Sequence, residues 1–485
     1  MKIQSLIREN NVLVPAEVEL SFVPGLPQIQ FLGLPDQGIK ESIHRIKSAL
    51  RAQGFDFPKA QQILVNLRPS HLKKSSRGLE LAVALGILWE TQQVPIPESA
   101  DPLLVYGELS LGGDVYEPED LLEEFDPLDT ATVWTGVGKN KKVPFHRAVI
   151  KNLQSIKEPE ILTAEERQVP IVRPDYGLDL KFPNRQAVLL QLAALGEHSV
   201  LLAGPAGSGK STLAKSLPSF LQVPSQDDMK QARKMNRGIG EKELCWRPLV
   251  QPHHSTSPLG LIGGGVPPYK GEITRAHKGV LVLDELLEFN PRAQEALREP
   301  MEEFRIRIRR GRYFDEYPAE TLVVATTNLC PCGDFVPGAR VLCGRSAKRC
   351  QSYGEKLSGP LVDRFQISFF TQKREEDGGT MLGADILVKL EEARTFRAEK
   401  ALRDPRFTKP AGRWTHEELV QDVPTFYMKV LFPKELPSRR RDLATLRVAR
   451  TFADLDAKDT IEVAHVEEAL KWTYLPFESL KRLGG

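Results

Sequence analysis

An α/β fold built on a parallel sheet is predicted, with a mixed α+β region before it and helices after it. Three stretches carry this prediction. The first is Gly204-Pro-Ala-Gly-Ser-Gly-Lys210-Ser211, which follows the apolar run Ser199–Ala203. The others are Gly279-Val-Leu-Val-Leu-Asp284-Glu285 and Thr321-Leu-Val-Val-Ala-Thr-Thr-Asn328. Each is a short, continuous apolar run ending in polar residues, the pattern of strands buried on both faces of a parallel sheet. Ligands of such sheets gather at the carboxyl ends of the strands.

The first stretch is a GxxxxGK[ST] phosphate loop in its required setting. A strand precedes it, and Leu213, Leu217 and Phe220 recur after it at helical spacing. Glycines let backbone N–H groups wrap phosphates, and a helix N-terminus favours negative charge. The binding residues are therefore Gly204, Pro205, Ala206, Gly207, Ser208, Gly209, Lys210, Ser211 and Thr212. Lys210 is expected at the β and γ phosphates, and the Ser211 hydroxyl at Mg²⁺. In the second stretch Asp284 completes the Mg²⁺ shell and Glu285 polarises the attacking water. In the third, Asn328 is placed to hydrogen-bond that water or the γ-phosphate. Hydrolysis of a nucleoside triphosphate, ATP, is the expected chemistry.

A chain of 485 residues accommodates about three domains, here drawn at 1–175, 176–370 and 371–485. In the first, Asp36 reads as an N-cap. Ile39, Ile43, Ile46 and Leu50 then trace a helical face ending before Gly54. Ile63–Leu67 reads as a strand, and Leu79–Glu90 as an apolar helix capped by Ser75 or Ser76. Residues 117–130 are acidic and read as a loop, and Pro170 to Pro183 as a linker. In the last region a helix beginning at Pro437-Ser438 buries Leu443, Leu446, Ala449 and Ala453. His253 to Lys270, rich in Gly, Pro and His, reads as a loop without a catalytic role. With 66 Lys and Arg against 64 Asp and Glu, the net charge of +2 announces no nucleic-acid partner, so any such surface must be local. No stretch reaches membrane-spanning length and the N-terminus lacks a signal-peptide core, so a cytoplasmic protein is expected. Of the five cysteines, Cys330, Cys332, Cys343 and Cys350 lie close together, as four thiolates of a structural Zn²⁺ site would.

Phe304-Arg-Ile-Arg-Ile-Arg-Arg-Gly-Arg312 alternates basic and apolar side chains. Period two describes a strand with Ile306 and Ile308 on one face and Arg305, Arg307 and Arg309 on the other. Arg310-Gly311 signals a turn, after which Tyr313 and Phe314 begin a return strand.

The phosphate loop, the Asp284-Glu285 strand, Asn328 and Ser358-Gly-Pro-Leu-Val-Asp-Arg364-Phe together resemble the AAA+ ATPases. Further stretches resemble one family among them, the ComM/YifB family of magnesium-chelatase-like proteins. They are Gly33-Leu-Pro-Asp-Gln-Gly-Ile-Lys-Glu-Ser42, Val65-Asn-Leu-Arg-Pro69, Ala84-Leu-Gly-Ile87, Gly107-Glu-Leu-Ser110, Pro252-His-His-Ser255, Gly263-Gly-Gly265, Gly271-Glu-Ile273 and Ala449-Arg-Thr451. That resemblance implies an N-terminal domain of Lon-protease-like α+β fold, a P-loop AAA+ αβα core and a C-terminal helical lid. It also implies a homo-oligomeric ring, a hexamer, acting as a helicase or branch-migration motor on single-stranded or branched DNA during natural transformation. By the same resemblance Asn328 is the first sensor, Arg364 an arginine finger acting in the neighbouring subunit's site, and Arg440 the second sensor of the lid. Arg309, Arg310 and Arg312, near the hairpin tip, would then contact DNA. Two departures stand out. Arg77 occupies the position of a Lon-type nucleophile, with Ser75 and Ser76 adjacent, so no protease is expected. Phe182-Pro-Asn-Arg185 lacks the Gly-Gln of relatives. The alternative class is a chelatase-like or chaperone-type ATPase remodelling a protein partner. A transcriptional activator shares a stretch like Ala276-His-Lys-Gly279 but would show a GAFTGA loop, which is absent.

Overall fold

The computed structural model describes residues 1–9, 12–32, 37–68, 78–97, 103–119, 121, 132–138, 143, 145–163, 169–236, 244–265, 269–310, 313–330, 333, 353, 359–372, 379–423 and 439–484. Two compact units result: Met1–Val169, and Pro170–Asn236 with Glu241–Gly485.

Eight described strands of the first unit form one mixed sheet, while Glu108–Leu109 and Val115–Tyr116 pair separately as a short antiparallel ribbon. The order of the sheet is Glu160–Leu162, Arg147–Val149, Thr132–Thr135, Leu103–Val105, Lys2–Glu9, Val12–Pro24, Gln61–Arg68 and Ile29–Phe31. Helix Gln37–Ala52 buries Ile46 and Leu50 as its periodicity predicts and ends before Gly54, whose φ is +77°. Asp36 lies outside the described residues. Helix Leu79–Glu90 is buried from Leu79 through Trp89. Its N-cap is Gly78 without a side-chain cap, while the expected caps Ser75 and Ser76 lie outside the described residues. One carboxylate is carried into this apolar surround. Glu80 accepts from the Ser42 hydroxyl at 2.6 Å, Arg45 Nε at 2.8 Å and the Leu109 amide at 2.8 Å. Burial raises its pKa above the ordinary value against these donors, as an internal acid requires partners to be tolerated at all.

The second unit is built on five parallel strands in the order Leu249–Val250, Val280–Leu283, Leu322–Thr327, Val200–Ala203 and Ile367–Phe370. The apolar runs are continuous because both faces are covered. Val200, Leu202, Val280, Val282, Leu322 and Val324 join one core with Leu446, Val448 and Ala449 of helix Arg439–Leu455. Leu201, Ala203, Leu281, Leu283, Val323 and Ala325 join another, on the opposite face, with Ile306 and Ile308. Leu446, Ala449 and Ala453 are fully buried and Leu443 partly so, as the helical stripe predicts. Phe369, on the first face, stacks on Trp472 of the last helix at 5.6 Å. The segment read as a linker ends in structure: Lys181–Pro183 pairs antiparallel with Thr380–Leu382. The segment read as a loop from His253 contains helix Pro258–Ile262 and a short antiparallel pair, Gly263–Gly264 with Tyr269–Lys270. A Ser257 hydroxyl cap on the Gly260 amide and Pro258 at the first helical position explain that helix, signals outweighed by the glycine content.

Opposite the phosphate loop, the leading ends of the strands carry charges knitted together by one residue. Arg413 Nη2 lies 2.6 Å from Glu197 and its Nη1 lies 2.7 Å from Glu320. Lys278 adds Glu320 at 2.7 Å and Asp228 at 3.1 Å, and Arg247 reaches Glu197 at 3.6 Å. Burial alone would raise the Glu197 carboxyl, but Arg413 and Arg247 outweigh it and hold it below the ordinary range. Substituting Arg413→Ala strands two carboxylates in a partly buried site and should cost about 3 kcal/mol of stability. Thermal melts of R413A, E197Q and the double variant measure this, with the double variant less impaired than the sum of the singles.

Candidate nucleotide-binding site

The phosphate loop links strand Val200–Ala203 to helix Lys210–Phe220. Gly209, just before the helix, has φ +84°, a conformation glycine adopts without strain. Gly204 is needed for proximity: a Cβ there would fall 2.3 Å from the Thr371 hydroxyl oxygen. Thr371 also lies 2.6 Å from the Ser208 hydroxyl, so the end of the fifth strand braces the loop. Lys210 donates to the carbonyls of Gly204 at 2.9 Å and Pro205 at 2.7 Å, and to Asn328 Oδ1 at 3.1 Å. Burial lowers the pKa of this ammonium, with Asp284 and Glu285 opposing.

Asp284 and Glu285 leave the tip of strand Val280–Leu283 as expected. The Ser211 hydroxyl lies 3.4 Å from both carboxylate oxygens of Asp284, an all-oxygen donor set of the kind Mg²⁺ takes, and these two residues would hold that ion. Thr326 organises the acidic pair, its hydroxyl donating to Asp284 Oδ1 and accepting from the Glu285 amide at 3.1 Å. Glu285 has φ +56° and ψ +53°, a left-handed backbone unusual for a side-chain-bearing residue, and its side chain is 57% exposed at the mouth of the site. Gln251 Nε2 reaches Asp284 at 3.5 Å and His254 Nδ1 lies 3.9 Å from Glu285 Oε2. Lys210, Ser211, Asp284, Glu285 and Asn328 are thus brought into one cluster.

Arg364 and Arg440 meet elsewhere. Arg364, just after the short helix Gly359–Val362, is mostly buried, and its Nε lies 3.2 Å from Glu302 Oε1. Arg440, in the first turn of helix Arg439–Leu455, places its Nε 2.8 Å from the same oxygen. Its neighbour Arg441 is fully buried, paired with Asp363 at 3.1 Å and donating to the carbonyl of Phe365 at 2.6 Å. That makes Arg441 a structural tie between the lid helix and the Arg364 segment.

Three family models match the chain in succession. They are "Subunit ChlI of Mg-chelatase" over residues 18–127, "Magnesium chelatase, subunit ChlI" over 179–378 and "Magnesium chelatase, subunit ChlI C-terminal" over 389–473. The uncharacterized protein YifB of Salmonella typhimurium is 29% identical over 490 residues, covering 94% of each chain. Competence protein ComM of Haemophilus influenzae is 28% identical over 493 residues, again 94% of each. The chain belongs to the ComM/YifB family of magnesium-chelatase-like AAA+ proteins. An uncharacterized protein of Mycobacterium tuberculosis is 29% identical over 94% of this chain and 95% of its own. ComM/YifB membership implies use of ATP and Mg²⁺, in keeping with the oxygen donors of Ser211 and Asp284.

Sequence reasoning missed Thr326, Thr371, Gln251 and His254. The two threonines pass for ordinary strand residues, and His254 was set aside with His253 although both stand just beyond strand Leu249–Val250, at the ligand-binding end of the sheet. Glu302 was missed entirely. Of the expected zinc ligands, Cys330 is buried, while Cys332, Cys343 and Cys350 lie outside the described residues. Among the described residues no group of three or more His, Cys, Asp or Glu is placed to hold a metal ion, and no helix is long and apolar enough to cross a membrane. The hairpin is present, Arg305–Arg310 against Tyr313–Pro318, with Ile306 and Ile308 buried on its inner face. Arg312 and the side chain of Arg310 lie outside the described residues.

Proposed function

We propose that this protein is a ring-forming, ATP-driven DNA motor that grips single-stranded or branched DNA through its hairpin. The observation that carries this reading is the charge distribution along the hairpin. At the base, Arg305 is paired with Glu303 at 3.2 Å and Arg307 with Glu303 at 2.7 Å and Glu316 at 3.3 Å. Towards the tip, Arg309 is exposed and, among the described residues, makes no ion pair. Neutralised at the root and cationic at the end, the hairpin suits phosphate contact without base reading. One relative carries the name competence protein ComM, which is in keeping with the same reading.

In this reading ATP binds through Gly204–Thr212, and Ser211 and Asp284 would hold Mg²⁺, which would supply positive charge to offset that of the phosphates. Lys210 exchanges its loop carbonyls for phosphate oxygens. Glu285 accepts the proton of the attacking water and Asn328 orients it. Arg364 reaches the neighbouring subunit's γ-phosphate, which requires a ring, a hexamer by family resemblance. Arg440 reports nucleotide state to the lid.

The hairpin variant R309A/R310A/R312A tests the DNA assignment. Its affinity for single-stranded DNA should fall at least about tenfold, and the slope of log affinity against log salt should flatten by about 2 for three lost phosphate contacts. DNA should no longer stimulate hydrolysis or be displaced from forks. Unchanged affinity and slope would refute the assignment.

A further inference from the structure

Glu302 sits in helix Arg298–Glu303, which leads directly into the hairpin strand Arg305–Arg310. A single oxygen of this side chain, Oε1, faces Arg364 Nε at 3.2 Å and Arg440 Nε at 2.8 Å. The two cations come from segments about 76 positions apart, brought together where Arg441 ties the helix start to Asp363 and Phe365. The Arg364 Nε–H is buried and forms no hydrogen bond to the carboxylate, so charge rather than an aligned bond holds that pair. Its Nη1 donates instead to the Pro360 carbonyl at 2.5 Å. Arg440 keeps half its surface exposed and has a second acid, Asp363, at 3.8 Å.

We infer that Glu302 is the resting counter-ion of Arg364 and Arg440, a placeholder that the triphosphate of the adjoining subunit displaces as the ring closes. The inference rests on the trans reading of Arg364 given above. Two cations converging on one carboxylate form a site of net positive charge, complementary to a polyanionic terminal phosphate. Glu302 holds both guanidinium groups together while the site is unengaged and competes with the phosphate when it arrives. It is a positioning residue, since its contacts are to the arginines rather than to the substrate.

The same short helix ties this exchange to the hairpin. Glu303 and Glu299 lie 2.7 Å and 3.8 Å from Arg307. Release of Glu302 therefore frees one end of a helix whose other acids hold the DNA-facing strand. Nucleotide arriving at one subunit interface would loosen the hairpin of the subunit that donates the arginines.

Steady-state hydrolysis with E302Q, E302D and R364A tests this. Removing the competing charge in E302Q should lower the KM for ATP, and the ATP concentration for half-maximal assembly, by about three- to tenfold. Its kcat should stay within about twofold of wild type, since the glutamine makes no transition-state contact. E302D, which keeps the charge, should restore the wild-type KM. A wild-type KM in E302Q, or a kcat loss as deep as that of R364A, overturns the counter-ion inference. R364A separates the layers: wild-type turnover in that variant overturns the trans-arginine reading itself, whereas an inactive R364A beside an unaltered E302Q overturns only the role of Glu302. Because Glu302 is 37% exposed, the fold should tolerate both replacements.

Discussion

Replacing Arg364 by alanine should lower turnover by at least about 10³-fold while leaving ATP binding in place. An arginine finger stabilises charge that appears as the γ-phosphoryl group is transferred, so its loss falls on kcat. The structure shows why this side chain is a candidate: its guanidinium is held at Glu302, apart from the cluster of Lys210, Asp284, Glu285 and Asn328. Mixing R364A with K210A decides where it acts. R364A carries an intact phosphate loop and K210A an intact finger, so only a shared interface combines them. Two preparations that are each inactive should recover a substantial part of the turnover once co-assembled. A mixture that stays silent, or an R364A that hydrolyses at wild-type speed as a monomer, would remove the trans assignment.

Glu285→Gln should abolish most hydrolysis by a different route, losing about 10²- to 10⁴-fold in kcat with ATP still bound. The amide is isosteric, and the Thr326 hydroxyl that receives the residue-285 amide is untouched, so the left-handed turn should persist. What is lost is the base that takes the proton from water. K210A offers the contrast, since the ammonium bonded to the Gly204 and Pro205 carbonyls is the loop's own cation and its removal should weaken nucleotide affinity. Nucleotide retention after gel filtration distinguishes the two variants. An E285Q protein that turns over near the wild-type rate would show that another group activates the water.

The residues of the nucleotide cluster were legible because their chemistry is local. A glycine loop, two acids after an apolar run and an amide after another each announce themselves within eight positions. The hairpin's inward face was legible for a similar reason, since Ile306 and Ile308 alternate with arginines at the period of a strand. Contacts closed by chain segments far apart were not legible. Thr371 meets Ser208 across 163 positions, and Glu302 meets Arg440 only after the lid helix has folded back. Arg413 illustrates the same limit: nothing in Ala411-Gly-Arg413 hints that Glu197 and Glu320 await it. Helix Leu79–Glu90 was legible from its unbroken apolar run, and burial from Leu79 through Trp89 carries it.

The five-stranded sheet has a mechanical consequence. Leu202 presses against the layer that holds Leu446, Val448 and Ala449, while Leu201 and Ala203, its chain neighbours, press against the layer that holds Ile306 and Ile308 of the hairpin. A single backbone thickness separates the two, and close-packed interiors transmit strain rather than absorb it. A shift of side chains on one face of this sheet is therefore felt by the side chains packed on the other.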